Sequence, residues 1–129
     1  MPTVLLDTGP FAMLLMDSPR LTLTAREAIA SSDRVLVSSI SFYEIAQKTR
    51  LGKWPEMDEL VHDLEAGAVA TGLEIVPLMA SLSLKVAYLD WDHRDPFDRI
   101  IAATALSEGV PCVSPDRAFD AIGVERVWG

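Results

Sequence analysis

Apolar residues follow two rhythms along this chain. Thr3-Val4-Leu5-Leu6 closes on Asp7, Arg34-Val35-Leu36-Val37 closes on Ser38, and a third run covers Val110 to Ser114. Short apolar runs bounded by turn residues fit strands buried on both faces of a sheet. Leu73 to Leu78 reads as a further strand, and Pro77 puts it at an edge because proline cannot donate to a central ladder. Val124 to Trp128 reads as a short last strand. Between these runs the spacing is helical. Thr8-Gly9-Pro10 opens a helix through Phe11 to Leu15, with Pro10 near its first turn. Thr24 to Ala30 follows, capped by Thr22 or Thr24, with Glu27 favourably early. Ser39 to Leu51 is a strong helix ended by Gly52, and Met57 to Thr71 reads as one amphipathic helix stopped by Gly72. Ser81 to Tyr88 is helical, and Asp90 to Asp95 is a polar loop. Pro96 then opens a helix that closes at Gly109, and Asp116 to Ala121 forms one helical turn. Strands alternating with helices give an α/β fold class, a parallel sheet of four to five strands with helices on both faces.

Length and composition narrow the class. The 129 residues make one domain, 1–129, long enough to bury roughly two thirds of its unfolded surface. Half of the residues are hydrophobic, which argues against disorder. No stretch approaches the roughly 18 apolar residues of a membrane span, and Met1-Pro2-Thr3-Val4 does not begin a secretory signal. Cys112 is the single cysteine, which excludes an internal disulfide framework and a thiolate zinc cluster. Inside a strand it reads as a small buried hydrophobe, and a reducing cytoplasm is the expected location. The net charge of −8 argues against nucleic acid, since proteins that track a phosphate backbone are usually basic. Net charge describes the whole surface, however, and a site can invert it locally.

The acids fall where a parallel sheet gathers its ligands, beyond the carboxyl ends of its strands. Asp7 ends the first strand, Asp116 follows the fourth, and Glu44 lies about two turns into the helix after the second. Asp95 and Asp98 flank the start of the helix that feeds the fourth strand. Each has a structural alternative. Asp7, Asp95 and Asp116 suit helix caps, and Asp98 suits the helix dipole. Ser41-Phe42-Tyr43-Glu44 matches a capping box, and Glu44 and Lys48 are spaced for an ion pair. Together, carboxylates in one small site repel and need a counter-charge, which a divalent cation supplies. Oxygen ligation suits Mg²⁺ or Mn²⁺, and two such ions about 3.5–4 Å apart would support phosphodiester hydrolysis.

Leu5-Leu6-Asp7-Thr8, Ser38-x-x-Ser41-x-x-Glu44-Ile45-Ala46, His93-Arg94-Asp95-Pro96-Phe97-Asp98-Arg99 with Ile101-Ala102-Ala103-Thr104-Ala105, and Ser114-x-Asp116 occur in this order. The set resembles the PIN-domain ribonucleases, in particular the VapC-type toxins of toxin–antitoxin pairs, over nearly the whole chain. The His-Arg-Asp-Pro-Phe-Asp-Arg block is its most specific part. The resemblance implies a metal-dependent endoribonuclease whose Mg²⁺ or Mn²⁺ is held by Asp7, Glu44, Asp98 and Asp116. Thr8 and Ser114 stand where the family has small hydroxyls near the metal or the scissile phosphate, and Asp95 becomes a cap or a supporting acid. Many close relatives carry His where this chain has Gly9. The resemblance also implies a homodimer and inhibition by a cognate antitoxin whose tail enters the acidic groove. The acidic charge suits an antitoxin segment that is basic.

Other readings fit less well. Leu5-Leu6-Asp7-Thr8-Gly9 also looks like the active-site string of retroviral-type aspartic proteases, which are all-β, whereas half of this chain reads as helix. A receiver domain needs paired acids after the first strand and a Lys after the last, and neither is present. A catalytically inactive PIN-like binding module is the alternative of another class, and a nuclease with a DNA target is a third. His62 and His93 make no metal pair; His93 is expected to orient its loop or touch RNA. Trp54, Trp91 and Trp128 are too dispersed for a stacking platform and read as packing or interface residues. Lys48, Arg50, Lys53, Arg94, Arg99 and Arg117, six of the eleven cations, lie within a few residues of the acids. They are either solvated helix surface or a basic rim for RNA phosphates.

Overall fold

The structure, a computed structural model, describes residues 2–129. β1 (Thr3–Leu6), α1 (Thr8–Leu15), α2 (Leu23–Ser31), β2 (Arg34–Ser38) and α3 (Ser39–Arg50) form the first half. α4 (Leu64–Ala70), β3 (Glu74–Val76), α5 (Ala80–Ala87), α6 (Pro96–Glu108), β4 (Cys112–Val113) and β5 (Arg126–Val127) complete it. The five strands pair in parallel in the order β3-β2-β1-β4-β5. The expected class and edge position therefore hold: β3 is an outer strand and stops before Pro77.

Alternation along the strands divides the core into two layers. Val4 and Leu6 of β1, with Val35 and Val37 of β2, face Phe11, Ala12, Ala25, Ile45 and Ala68 from α1 to α4. Leu5, Leu36 and Cys112 face the other way, onto Ile101, Ala102 and Ala105 of α6 and onto Phe119. Cys112 is fully buried there, as a small hydrophobe would be. Thr22 caps α2 by accepting from the Ala25 N–H. Asp95 caps α6, and Gly109 closes it in the left-handed conformation at φ 66°.

The continuous helix expected over Met57 to Thr71 does not form. Two 3₁₀ turns, Pro55–Met57 and Val61–Asp63, precede the shorter α4. Trp54, Met57 and Leu60 recur every third residue, and all pack on the same core layer. That spacing suits a tighter coil than the α-helix. The Leu60 N–H accordingly donates to the Met57 carbonyl and the Asp63 N–H to that of Leu60, each at 3.0 Å.

Candidate metal centre

Strand order reverses at β1. The chain proceeds outward through β2 and β3, then returns to place β4 on the other side of β1, opening a crevice at the carboxyl ends of β1 and β4. Asp7 and Ser114 stand on its two walls. Asp7 Oδ1 accepts from the Thr8 N–H at 2.8 Å and caps α1. Asp7 Oδ2 accepts from the Ser114 hydroxyl at 2.7 Å. Ser114 Oγ in turn accepts from the Asp116 N–H at 3.0 Å, and Asp116 Oδ1 caps the Arg117–Ile122 turn through the Ala118 N–H. Thr8 Oγ1 lies 2.8 Å from Ser41 Oγ, a buried pair that ties α1 to α3.

Glu44 comes from the middle of α3 and is only 5% exposed. Its Oε2 accepts from Lys48 Nζ at 2.5 Å, so the ion pair expected from the spacing forms. Its Oε1 is the buried side-chain oxygen without a hydrogen-bond partner among the described residues. The capping box does not form, because Ser38 caps α3 and Ser41 is taken up by Thr8. On α6, Asp95 Oδ1 accepts from the Phe97 and Asp98 N–H groups at 2.8 and 3.4 Å. Asp98 Oδ2 lies 2.6 Å from His93 Nε2.

The charges act on one another. Burial pushes the Asp7 carboxyl up to about 6; the Ser114 and Thr8 bonds oppose this, and the Asp98 and Glu44 carboxylates add to it. Burial also raises Asp98, opposed by the His93 bond and reinforced by Asp95 and Asp116. His93 is raised by its bond to Asp98, and the charges of Asp116 and Asp95 contribute. Against its own desolvation, Lys48 is raised by Glu44, with Asp95 and Asp98 contributing. Asp7 thus senses Asp98 and Glu44, and Asp98 senses Asp95 and Asp116, with Lys48 bonded to Glu44 and His93 to Asp98.

One ligand atom each from His93, Asp98 and Asp116 lies within 4.8 Å of the others. A buried carboxylate oxygen with no donor, an acid whose charged form is disfavoured by burial, and converging oxygen and nitrogen atoms are features that a divalent cation satisfies. The residues present therefore fit such an ion. Sequence reading did not assign His93 to this group. Its loop has no regular spacing from which a direction could be inferred.

The basic residues divide. Arg50, Lys53, Arg94 and Arg117 are exposed, whereas Lys48 is engaged by Glu44. Arg99 is a correction to the expected rim. Its guanidinium donates to the carbonyls of Trp91, His93, Val86 and Leu89 at 2.7–3.0 Å, using the terminal nitrogens of both arms. It laces the loop before α6 to the end of α5. Arg126, not singled out from sequence, pairs with Asp120 at 3.0 Å and reaches the Ser114 carbonyl at 3.3 Å. Beside α1, a groove of about 420 Å³ is lined by Gly9, Met13, Met16, Lys48, Lys53 and Trp54, among others. Trp91 packs on the His93 ring at 4.6 Å and on Phe119 at 5.9 Å, and Trp128 packs on the first core layer.

Residues 4–125 match the PIN domain family. The chain is 31% identical to ribonuclease VapC22 of Mycobacterium tuberculosis over 120 residues, which is 91% of this chain and 89% of the relative. Among solved structures, the Mycobacterium tuberculosis toxin VapC20, which cleaves the sarcin–ricin loop, superposes with a TM-score of 0.70 at 18% identity. That match covers 98% of this chain and 99% of the toxin. VapBC2 of Rickettsia felis, bound to a fragment of promoter DNA, superposes at 0.67 with 17% identity, over 97% and 98% of the two chains. At these identities the two structures show the shared fold.

Proposed function

The chain belongs to the PIN domain family, and from that premise we propose that it is a metal-dependent endoribonuclease toxin neutralised by a cognate antitoxin. The observation that carries the reading is the buried, unpaired Oε1 of Glu44, in a site where Asp7, Asp98 and Asp116 add further negative charge. Asp7, Glu44, Asp98 and Asp116 hold Mg²⁺ or Mn²⁺. When bound, the metal supplies a water of lowered pKa and stabilises charge at the phosphoryl oxygens.

The chain's own residues orient that chemistry. Ser114 fixes the Asp7 carboxylate, and Asp95 holds the first turn of α6 so that Asp98 faces the crevice. The Thr8–Ser41 pair keeps α1 and α3 in register beside it. Exposed Arg50, Lys53, Arg94 and Arg117 provide the phosphate-holding rim. Cleavage by water leaves a 5′-phosphate and a 3′-hydroxyl.

The protein acts as one domain over 1–129, as a homodimer, in the cytoplasm. No helix among the described residues is long and apolar enough to cross a membrane. Without metal the acidic crevice welcomes a cation instead. The antitoxin therefore presents a basic segment, with an Arg or Lys entering among the carboxylates.

Purified protein incubated with structured RNA should cleave it in Mn²⁺ and stop on addition of EDTA. Cleavage in EDTA, or full activity of Asp7→Asn combined with Asp98→Asn, overturns the mechanism. RNA left intact despite bound Mn²⁺ would favour the inactive binding module.

A further inference from the structure

His93 sits on an irregular loop, yet three contacts define its position. Arg99 holds its carbonyl at 3.0 Å, the ring packs against Trp91 at 4.6 Å, and Nε2 lies 2.6 Å from Asp98 Oδ2. The imidazole is thereby directed at the same group of atoms as Asp98 and Asp116. Glu44 Oε1, on α3, is buried without a donor. One donor atom each of His93, Asp98 and Asp116 lies within 4.8 Å of the others, close enough for one ion to engage all three.

We propose that His93 Nε2 is a direct ligand of the bound ion, so that this centre presents mixed nitrogen and oxygen ligands in place of carboxylates alone. The inference rests on the metal site proposed above and deepens it. Its consequence is metal preference. Mg²⁺ is a hard ion that favours oxygen and keeps its waters, whereas imidazole suits transition ions, so one nitrogen ligand shifts selectivity toward Mn²⁺. Trp91 and Arg99 are positioning residues for that nitrogen.

The test uses untagged full-length protein loaded with Mn²⁺ and examined by pulsed electron paramagnetic resonance. Directly bound histidine gives a nitrogen coupling that changes on ¹⁵N-histidine labelling. The coupling should be present in the wild type and in His62→Gln, the substitution of the chain's one other histidine, and absent in His93→Gln. Calorimetry should show Mn²⁺ affinity falling about tenfold or more in His93→Gln, with a smaller loss for Mg²⁺. Bound Mn²⁺ without nitrogen coupling in the wild type overturns this inference and leaves the metal site standing, and that spectrum needs no variant to fold. Equal losses for the two ions would mean that His93 acts through Asp98 and would overturn it as well. Failure of the wild type to bind Mn²⁺ at millimolar concentration would remove both readings.

Discussion

The Ser114 hydroxyl donates to Asp7 Oδ2 at 2.7 Å and so joins residues 107 positions apart across the ends of β1 and β4. Ser114 Oγ also accepts from the Asp116 N–H. Ser114→Ala removes the largest interaction that opposes burial in setting the Asp7 pKa. The Asp7 titration should move above about 6, and stability should drop by roughly 1.5–3 kcal/mol, the range for a hydrogen bond to a charged group. Carboxyl-carbon NMR and urea denaturation measure the two effects. An unmoved Asp7 titration would show that the bond does not form in solution.

Burial disfavours the charged form of Asp7 in the metal-free fold. Its folded pKa of about 6 stands above the unfolded value of 3.8, so between these values the folded chain binds more protons than the unfolded one. Its contribution to stability therefore falls as pH rises through this window, and the deficit is complete above it. A shift of that size corresponds to roughly 3 kcal/mol. Asp7→Asn should accordingly be more stable than the wild type at pH 7.5 without metal, and the advantage should vanish near pH 4. Adding Mn²⁺ should stabilise the wild type selectively, while the variant loses nuclease activity. Urea melts at the two pH values, with and without the ion, provide the check.

Much of this was legible from residue order. Buried strands announce themselves as short apolar runs, so Asp7 and Ser114 could be assigned to strand ends before any coordinates. Asp95, Pro96 and Gly109 bound α6 as local capping rules require. Distances set by packing were not legible. The Glu44–Lys48 pair follows from spacing, but the isolation of Glu44 Oε1 depends on how α3 lies against its neighbours. His93 and Arg99 were the hardest to read. The path of residues 88 to 95 is set by one guanidinium reaching four carbonyls, and nearness in sequence does not reveal where a long side chain points.

The exposed cations should register in salt dependence. Each phosphate contact on single-stranded nucleic acid contributes about 0.7 to the slope of log affinity against log salt concentration. Lys53→Gln and Arg94→Gln should each flatten the slope of log kcat/KM against log NaCl by about that amount when cleavage is measured below KM. Both side chains are solvent-exposed, so stability should stay within about 0.5 kcal/mol of the wild type. Unchanged slopes would mean that the RNA runs elsewhere on the surface.

Arg99→Lys separates position in sequence from position in space. Lysine keeps the charge but lacks the planar fork, so it cannot reproduce donation to Val86, Leu89, Trp91 and His93 together. Stability should fall by about 1–3 kcal/mol, and amides from Leu89 to Arg94 should exchange faster with solvent. The salt slope should remain that of the wild type, because this guanidinium is occupied by four backbone carbonyls. Activity should nevertheless fall, since the loop carries His93 and leads into Asp95 and Asp98. Hydrogen exchange read by mass spectrometry, beside the NaCl series, distinguishes the cases. A flattened slope with unchanged exchange would return Arg99 to the RNA-binding rim, whereas faster exchange with an unchanged slope identifies it as the clamp that orders the metal-facing loop.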